Sequence, residues 1–306
     1  MPYSDAAVAQ AARTIGAGGL VAVPTETVYG LAADAGNAAA VARIYAAKGR
    51  PSFNPLIVHV LDLAAAEALA LFDDDAHALA AAFWPGPLTL VLPLRRAAPI
   101  AAIVTAGLAT IAIRVPDHRA TQALLRACGK PLAAPSANRS GGISPTRAAH
   151  VAASLGGAVP LILDDGPTRA GLESTIVQGR AMLRPGPVTA EQVDAVLGPG
   201  ASDAATTGSP DRPSAPGQLL GHYAPAKPLR LDATEAAADE WLIGFGAVAG
   251  DDSLSARGDP VEAAARLFDA LHRADAATRA RIAVAPVPRA GIGAAINDRL
   301  ARAAYR

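Results

Sequence analysis

Three polar runs, each directly behind an apolar stretch, hold most of the residues in this chain that could do chemistry. The first is Pro24-Thr25-Glu26-Thr27-Val28-Tyr29-Gly30-Leu31, which gathers hydroxyl and carboxyl groups behind the apolar residues 20–24. The second is Lys48-Gly49-Arg50-Pro51, then Asn54-Pro55, then His59 within the apolar stretch 56–60. Lys48 and Arg50 would present two cations from one loop, although a helix end also favours cations simply through its dipole. The third is Ala134-Pro135-Ser136-Ala137-Asn138-Arg139-Ser140-Gly141-Gly142-Ile143-Ser144-Pro145-Thr146. Small residues there let backbone N–H groups approach an anion, and the hydroxyls add donors. Each run alone has a plain reading: an exposed strand extension or helix cap, a solvated helix end, and a loop. Arg114, Ser174 in Glu173-Ser174-Thr175 and Arg184 in Leu183-Arg184-Pro185-Gly186 complete the set.

Other chemistries are absent from the pattern. There is no GxxxxGK[ST] phosphate loop, no GxGxxG behind the first strand and no GxSxG elbow. The six histidines (59, 77, 118, 150, 222 and 272) never fall at metal-ligand spacing, and Asp164-Asp165-Gly166 reads as a turn. The single cysteine, Cys128, excludes a disulfide scaffold and favours a reducing cytoplasm. Acids and bases balance at 27 each and the hydrophobic fraction is 51%, so a chain of 306 residues can bury a real core. Arginine outnumbers lysine 24 to three and alanine reaches 77, a skew that resembles genomic base composition. A surviving lysine such as Lys48 is therefore a mild hint that arginine would not serve. Residues 76–150 carry eight bases and one acid, Asp117. Either acids elsewhere, such as Asp73, Asp74 and Asp75, neutralise this excess in space, or it lines a cavity for polyanionic groups.

Elements that could position these runs are legible. Ser4 can cap a helix towards Gly16, and Asn37 a second one through Ala47. Strands are expected at 20–24, 56–60, 88–92, 110–114, 132–134, 161–163 and 174–177. Helices are expected at 63–71, 75–83, 117–127, 146–154 and 189–196. This alternation points to α/β layers around a mostly buried sheet. The uncharged stretch 76–94 is long enough to span a membrane, but Pro85-Gly86-Pro87 divides it into helix, turn and strand, and no targeting segment is evident. Residues 198–217 are rich in proline and glycine and poor in large apolar side chains, as a linker would be. Beyond it, strands at 228–232, 241–245 and 282–286 and helices at 261–272 and 293–304 form a piece small enough to lean on the first domain.

In this order the motifs PTETVYGL, KGRPSFNPLIVH, FWPGPLTLVL, IRVPDH, APSANRSGG, EST, LRPG, PGQLLGHYAP and APVPRAGIGAAINDRL span nearly the whole chain. Together they resemble the YrdC-type threonylcarbamoyl-AMP synthases in their long two-domain form. The resemblance implies an α/β fold: a twisted mixed-sheet catalytic domain with a basic cavity over 1–197 and a small Rossmann-like domain over 229–306. A linker over 198–228 would fold back across the active site. It also implies a nucleotidyltransferase reaction in which L-threonine, bicarbonate or carbon dioxide, and ATP give threonylcarbamoyl-adenylate and pyrophosphate. The product would pass to a transferase acting on tRNA, with weak tRNA binding also expected. Mg²⁺ would arrive with ATP, held mainly by phosphates and water.

By the same resemblance, Thr27, His59, Arg114, Ala134 and Ser174 would contact threonine. Arg50, Asn54, Thr110, Ser136, Ser144, Arg184 and Tyr223 would surround ATP, and Lys48, Arg50, Ser136 and Asn138 would carry the catalytic charge stabilisation. The linker departs from the family's SPGMxYxHY-like pattern: His222 and Tyr223 keep their places, whereas Leu219 and Gly221 lack the usual polar groups. Two rivals keep the fold. One is a non-catalytic module that binds structured RNA. The other transfers carbamoyl in hydrogenase maturation, where the domain sits in a much larger chain.

Overall fold

A computed structural model describes residues 1–200 and 221–305 of the chain. The linker expected over 198–228 therefore lies largely outside the described residues. All fourteen expected site residues lie among the described residues.

Nine strands form one mixed sheet. They are β1 (Val21–Pro24), β2 (Tyr29–Asp34), β3 (Ile57–His59), β4 (Leu88–Pro93), β5 (Thr110–Arg114), β6 (Leu132–Ala133), β7 (Leu161–Ile162), β8 (Thr175–Gln178) and β9 (Ala181–Arg184). Their spatial order is β7-β1-β2-β6-β3-β5-β4-β8-β9. The pairs β1–β7, β3–β5 and β4–β8 are parallel and the remainder antiparallel. Strand β2 was not expected from the sequence. Its residues, Tyr-Gly-Leu-Ala-Ala-Asp, lack the alternation of a half-exposed strand because all six are buried.

Seven helices cover this sheet: α1 (Asp5–Gly16), α2 (Ala38–Lys48), α3 (Leu63–Glu67), α4 (Asp74–Phe83), α5 (Arg119–Cys128), α6 (Ala148–Leu155) and α7 (Ala190–Leu197). Local chemistry sets their ends. The Ser4, Asn37, Asp62 and Asp73 side chains accept from backbone N–H groups three residues on. Thr189 and Gln192 close a capping box on α7. Gly49 ends α2 at φ +60°, a left-handed turn that glycine adopts without cost. The apolar stretch 76–94 is α4, a turn and β4, and no helix among the described residues is long and apolar enough to cross a membrane.

The second unit holds β10 (Leu229–Arg230), β11 (Glu240–Gly244), β12 (Asp252–Ser253) and β13 (Arg281–Val284) in an all-parallel sheet of order β10-β13-β11-β12, with α8 (Pro260–Ala276) and α9 (Ile292–Ala304) packed on it. Its core is not its own alone. Val28, Ile143 and Leu172 of the first unit are buried with Leu267, Phe268, Leu271 and Ile296 of the second. Gly171 marks how close the units come. It has φ +70°, and a Cβ there would lie 2.4–2.5 Å from the Ala264 and Ala265 carbonyl oxygens of α8.

Candidate active site

The first polar run makes the turn between β1 and β2 and is buried throughout, at 3%, 1% and 0% exposure for Thr25, Glu26 and Thr27. It is neither an exposed strand extension nor a cap. Thr25 Oγ1 donates to the Val28 carbonyl (2.7 Å), which uses its one proton. The 2.7 Å bond between the two hydroxyls must then be donated by Thr27, whose oxygen in turn accepts from Arg114 Nη1 at 2.9 Å. Arg114 also donates through Nε to the Gly86 carbonyl (3.1 Å), and its Nη2 lies 2.6 Å from Glu26 Oε1. Both members of that ion pair are buried, and neither Glu26 oxygen has a hydrogen-bond partner among the described residues.

Parallel pairing of β3 with β5 sets His59 beside Arg114. Burial, and then the neighbouring guanidinium, push the imidazole down to about 3, so it is neutral; its Nδ1 has no partner among the described residues. Across the cavity Ser174 precedes β8. Its hydroxyl shares a 2.7 Å bond with Thr89 and accepts from Arg184 Nη2 (3.2 Å), while its carbonyl accepts from Arg184 Nε and Nη2 at 3.0 and 2.9 Å.

Lys48 and Arg50 are both buried, so the second run is not a solvated helix end. Beyond Gly49 the two cations diverge. Arg50 donates to the Asn54 and Pro55 carbonyls (3.3 and 3.0 Å) and faces the cavity, and burial pushes it down to about 10. Lys48 Nζ donates to the carbonyls of Ser136 and Asn138, with Asn138 Oδ1 at 3.4 Å. It thereby ties the third run to α2. Backbone bonds from Leu31 to Pro135 (2.7 Å) and from Ala137 to Tyr29 (2.8 Å) lace the same loop to β2.

The end of the linker closes the cavity. His222 and Tyr223 are buried in its wall, and the Ala224 N–H donates to Gly141 (2.8 Å). Burial, then the surrounding cations Arg50, Lys48, Arg184 and Arg299, hold the His222 imidazole well below its ordinary value.

One cavity thus collects Thr27, His59, Arg114, Ala134 and Ser174 with Arg50, Ser136, Arg184 and Tyr223. Lys48, Asn138 and Ser144 are buried outside its lining: Lys48 and Asn138 hold the loop, and the Ser144 hydroxyl donates to Glu173. Asn54 supports Arg50 through its carbonyl, and its side-chain Oδ1 has no partner among the described residues. Thr110, half-buried at the start of β5 opposite Pro93, does not line the cavity. Four of the eight bases in 76–150 are met by distant acids: Arg114 by Glu26, Arg119 by Asp165, Lys130 by Asp34 and Arg147 by Asp269. Of those eight bases only Arg114 lines the cavity; its other cations come from outside the stretch.

Comparison with known proteins gives this geometry a lineage. The family model Sua5/YciO/YrdC, described as telomere recombination, matches residues 13–186. A second, described as the C-terminal domain of threonylcarbamoyl-AMP synthase, matches residues 188–305. The threonylcarbamoyl-AMP synthase of Bacillus subtilis is 42% identical, with 98% of this chain and 94% of that protein covered. The chain belongs to the threonylcarbamoyl-AMP synthase family. The synthase of Pyrococcus abyssi is 41% identical over 97% of this chain and 94% of its own length. The crystal structure of Pyrococcus abyssi Sua5 complexed with L-threonine matches with a TM-score of 0.90, 36% identity and coverage of 99% and 96%. Full-length HypF shares the fold alone, with a TM-score of 0.53 and 16% identity over 60% of this chain and 30% of its own.

Three features of this synthase-family cavity escape a reading of the motifs. Glu26 looked like part of an exposed run, Glu173 like a neighbour of Ser174, and Arg299 lies in a tail whose partner is 126 residues away. For Glu26 the sequence signal was a carboxylate set between two threonines behind an apolar stretch; Glu173, between Leu172 and Ser174, carried no such signal.

Proposed function

We propose that this chain condenses L-threonine, bicarbonate or carbon dioxide, and ATP to L-threonylcarbamoyladenylate and pyrophosphate. The observation that carries the reading is the pairing of two unlike half-sites in one buried cavity of a synthase-family chain. One half, Thr27, His59 and Ser174 around the Arg114–Glu26 pair, offers hydroxyls and a balanced charge. The other gathers Arg50, Arg184 and Ser136.

The first half suits a zwitterionic amino acid. Arg114 faces its carboxylate. Thr27 and Ser174 meet the amine and side-chain hydroxyl of threonine, and valine, which lacks the hydroxyl, would forfeit that bond. Ala134 supplies a small wall. Arg50 and Arg184 meet the phosphates, with Ser136 and Tyr223 beside them. Lys48 and Asn138 act through the loop they anchor, Ser144 through Glu173, and Asn54 through Arg50; Thr110 takes no direct part. No protein nucleophile is required. The threonine amine attacks carbon dioxide and loses a proton to give a carbamate, and a carbamate oxygen displaces pyrophosphate at the α-phosphorus. Catalysis is then positioning, charge stabilisation and exclusion of water from a labile carbamate.

No group of residues able to hold a metal occurs among the described residues, and the two carboxylates at the cavity are committed, Glu26 to Arg114 and Glu173 to Ser144 and Arg299. Mg²⁺ accordingly enters as part of the nucleotide substrate, on phosphate oxygens and water. The product passes to a transferase acting on tRNA. The units 1–197 and 229–306, joined by 198–228, serve as catalytic and supporting domains, and the free thiol of Cys128 suits the cytoplasm. A purely RNA-binding role is less supported, because half of the bases that suggested it are paired with acids inside the fold.

The test is pyrophosphate release from ATP by purified protein, with L-threonine and bicarbonate each present or omitted. Release that needs both supports the synthase. Release without threonine, or none from a folded ATP-binding protein, refutes it.

A further inference from the structure

The second domain reaches the cavity through one guanidinium. Arg299 of α9 is fully buried, yet it does not line the cavity. Its Nε donates to Glu173 Oε2 at 2.9 Å and its Cζ lies 5.3 Å from the centroid of the Tyr223 ring. Glu173 and Tyr223 are both wall residues. The junction between the domains converges on this point. Ser144 donates to the other Glu173 oxygen, and the Ser144 carbonyl accepts from His272 of α8 at 3.1 Å. Asp298 holds Arg299 Nη1 at 2.7 Å. Tyr223 has φ +64°, a conformation that a bulky residue keeps only when its surroundings hold it there. Those surroundings are Arg299 on one side, with Phe268 of α8 at 5.5 Å and His222 at 4.2 Å between ring centroids.

We propose that Arg299 is a positioning residue of the synthase: it aims Glu173 and fixes the Tyr223 ring, so that the C-terminal domain sets the shape of an active site it does not line. The inference rests on the synthase reading above. Glu173 immediately precedes Ser174, and the Ser174 carbonyl and hydroxyl both receive Arg184. Arg299 therefore acts on the amino-acid side through Glu173 and Ser174, and on the linker side through Tyr223. Stability alone is a weak reason for such a group, since an apolar side chain of similar volume often replaces a buried ion pair without loss. Apolar packing cannot reproduce the planar fork that orients a carboxylate while its face covers a ring.

Steady-state pyrophosphate release by the full chain, at varied threonine, tests this in Arg299→Met and Arg299→Lys, beside melting curves of each. At a temperature where circular dichroism shows full folding, kcat/KM for threonine should fall at least tenfold in Arg299→Met. Arg299→Lys, which keeps a cation on Glu173 but not the fork, should fall about threefold. A folded Arg299→Met within twofold of wild type overturns the proposal, as do equal losses in both variants that simply follow their melting temperatures. If Arg299→Met does not fold, Arg299→Lys decides: folded and within a factor of 1.5 of wild type, it overturns the proposal (a bound set at roughly the precision of such rates). A wild type that releases no threonine-dependent pyrophosphate refutes the synthase reading and this inference with it. An active wild type beside a fully active Arg299→Met refutes the inference alone.

Discussion

Replacing Lys48 with methionine separates two jobs that a buried lysine at such a site could do. The ammonium either meets the phosphates of a ligand or braces the loop beside them. Its hydrogen bonds all run to that loop: the carbonyls of Ser136 and Asn138, and Asn138 Oδ1 at 3.4 Å. Methionine keeps the length and most of the volume of the side chain, so the change chiefly removes donors. Two buried carbonyls lose a partner, at about 1–3 kcal/mol each. Against this, the folded chain no longer has to bury an ammonium that burial and Arg50 already hold well below its ordinary value. A net loss of about 2 kcal/mol is expected, which lowers the melting temperature by about 3 °C in a chain of 306 residues. With the loop loosened, kcat/KM for ATP should fall at least ~10-fold, equivalent to about 1.4 kcal/mol of transition-state stabilisation. Calorimetry and pyrophosphate release on the same preparation supply both numbers. A variant that melts within a degree of wild type but has lost its activity would refute the bracing argument, and would place the ammonium on the phosphates directly.

Three further outcomes follow from the geometry. Gly171→Ala forces a left-handed φ on alanine, at about 1–2 kcal/mol, and drives its Cβ against the α8 carbonyls of Ala264 and Ala265. It should lower the melting temperature sharply, and an unshifted melt would mean that α8 does not seat there. The imidazoles of His59 and His150 are pushed down by burial to about 3 and about 4. As pH falls from 6.5 towards 4 the denatured chain binds protons that these native rings refuse, so stability should drop. His150→Gln should flatten that slope in urea titrations at pH 7, 5.5 and 4.5, and an unchanged slope counts against the assignment. Arg50→Gln should shrink the rise in melting temperature produced by added pyrophosphate; an undiminished rise would remove Arg50 from the anion half-site.

Much of the scaffold was readable because local chemistry decides it. Ser4 and Asn37 cap helices where a capping side chain was expected, and the strand 110–114 appears at its expected bounds. The strand β2 was not readable, since burial on both faces erases the alternation that reveals a strand. Nine of the expected site residues share the cavity, yet what each does there was not legible. Lys48 faces carbonyls brought from 88 and 90 residues away, and Arg114 faces a carboxylate 88 positions earlier. The charge excess of 76–150 could not be resolved from the sequence for the same reason. The acids that meet four of its eight bases, Glu26, Asp34, Asp165 and Asp269, lie outside the window and reach it only in the fold.

The two halves of the cavity differ in how their cations are compensated, and that difference says what each can hold. Arg114 is matched by a buried carboxylate, so this half is electrically balanced before anything binds. A zwitterion, itself neutral, can enter such a place without leaving a charge over. Lys48 and Arg50 donate instead to backbone carbonyls, whose dipoles satisfy their N–H groups without cancelling a unit charge. Burial pushes both below their ordinary values. A polyanion relieves the uncancelled charge, and the relief is greatest where negative charge accumulates on a leaving group. The neutral rings of His59 and His222 add wall without adding charge. Keeping such a cavity shut takes packing from outside it. Val28, Ile143 and Leu172, on the very loops that form its walls, are buried in the core of the second domain.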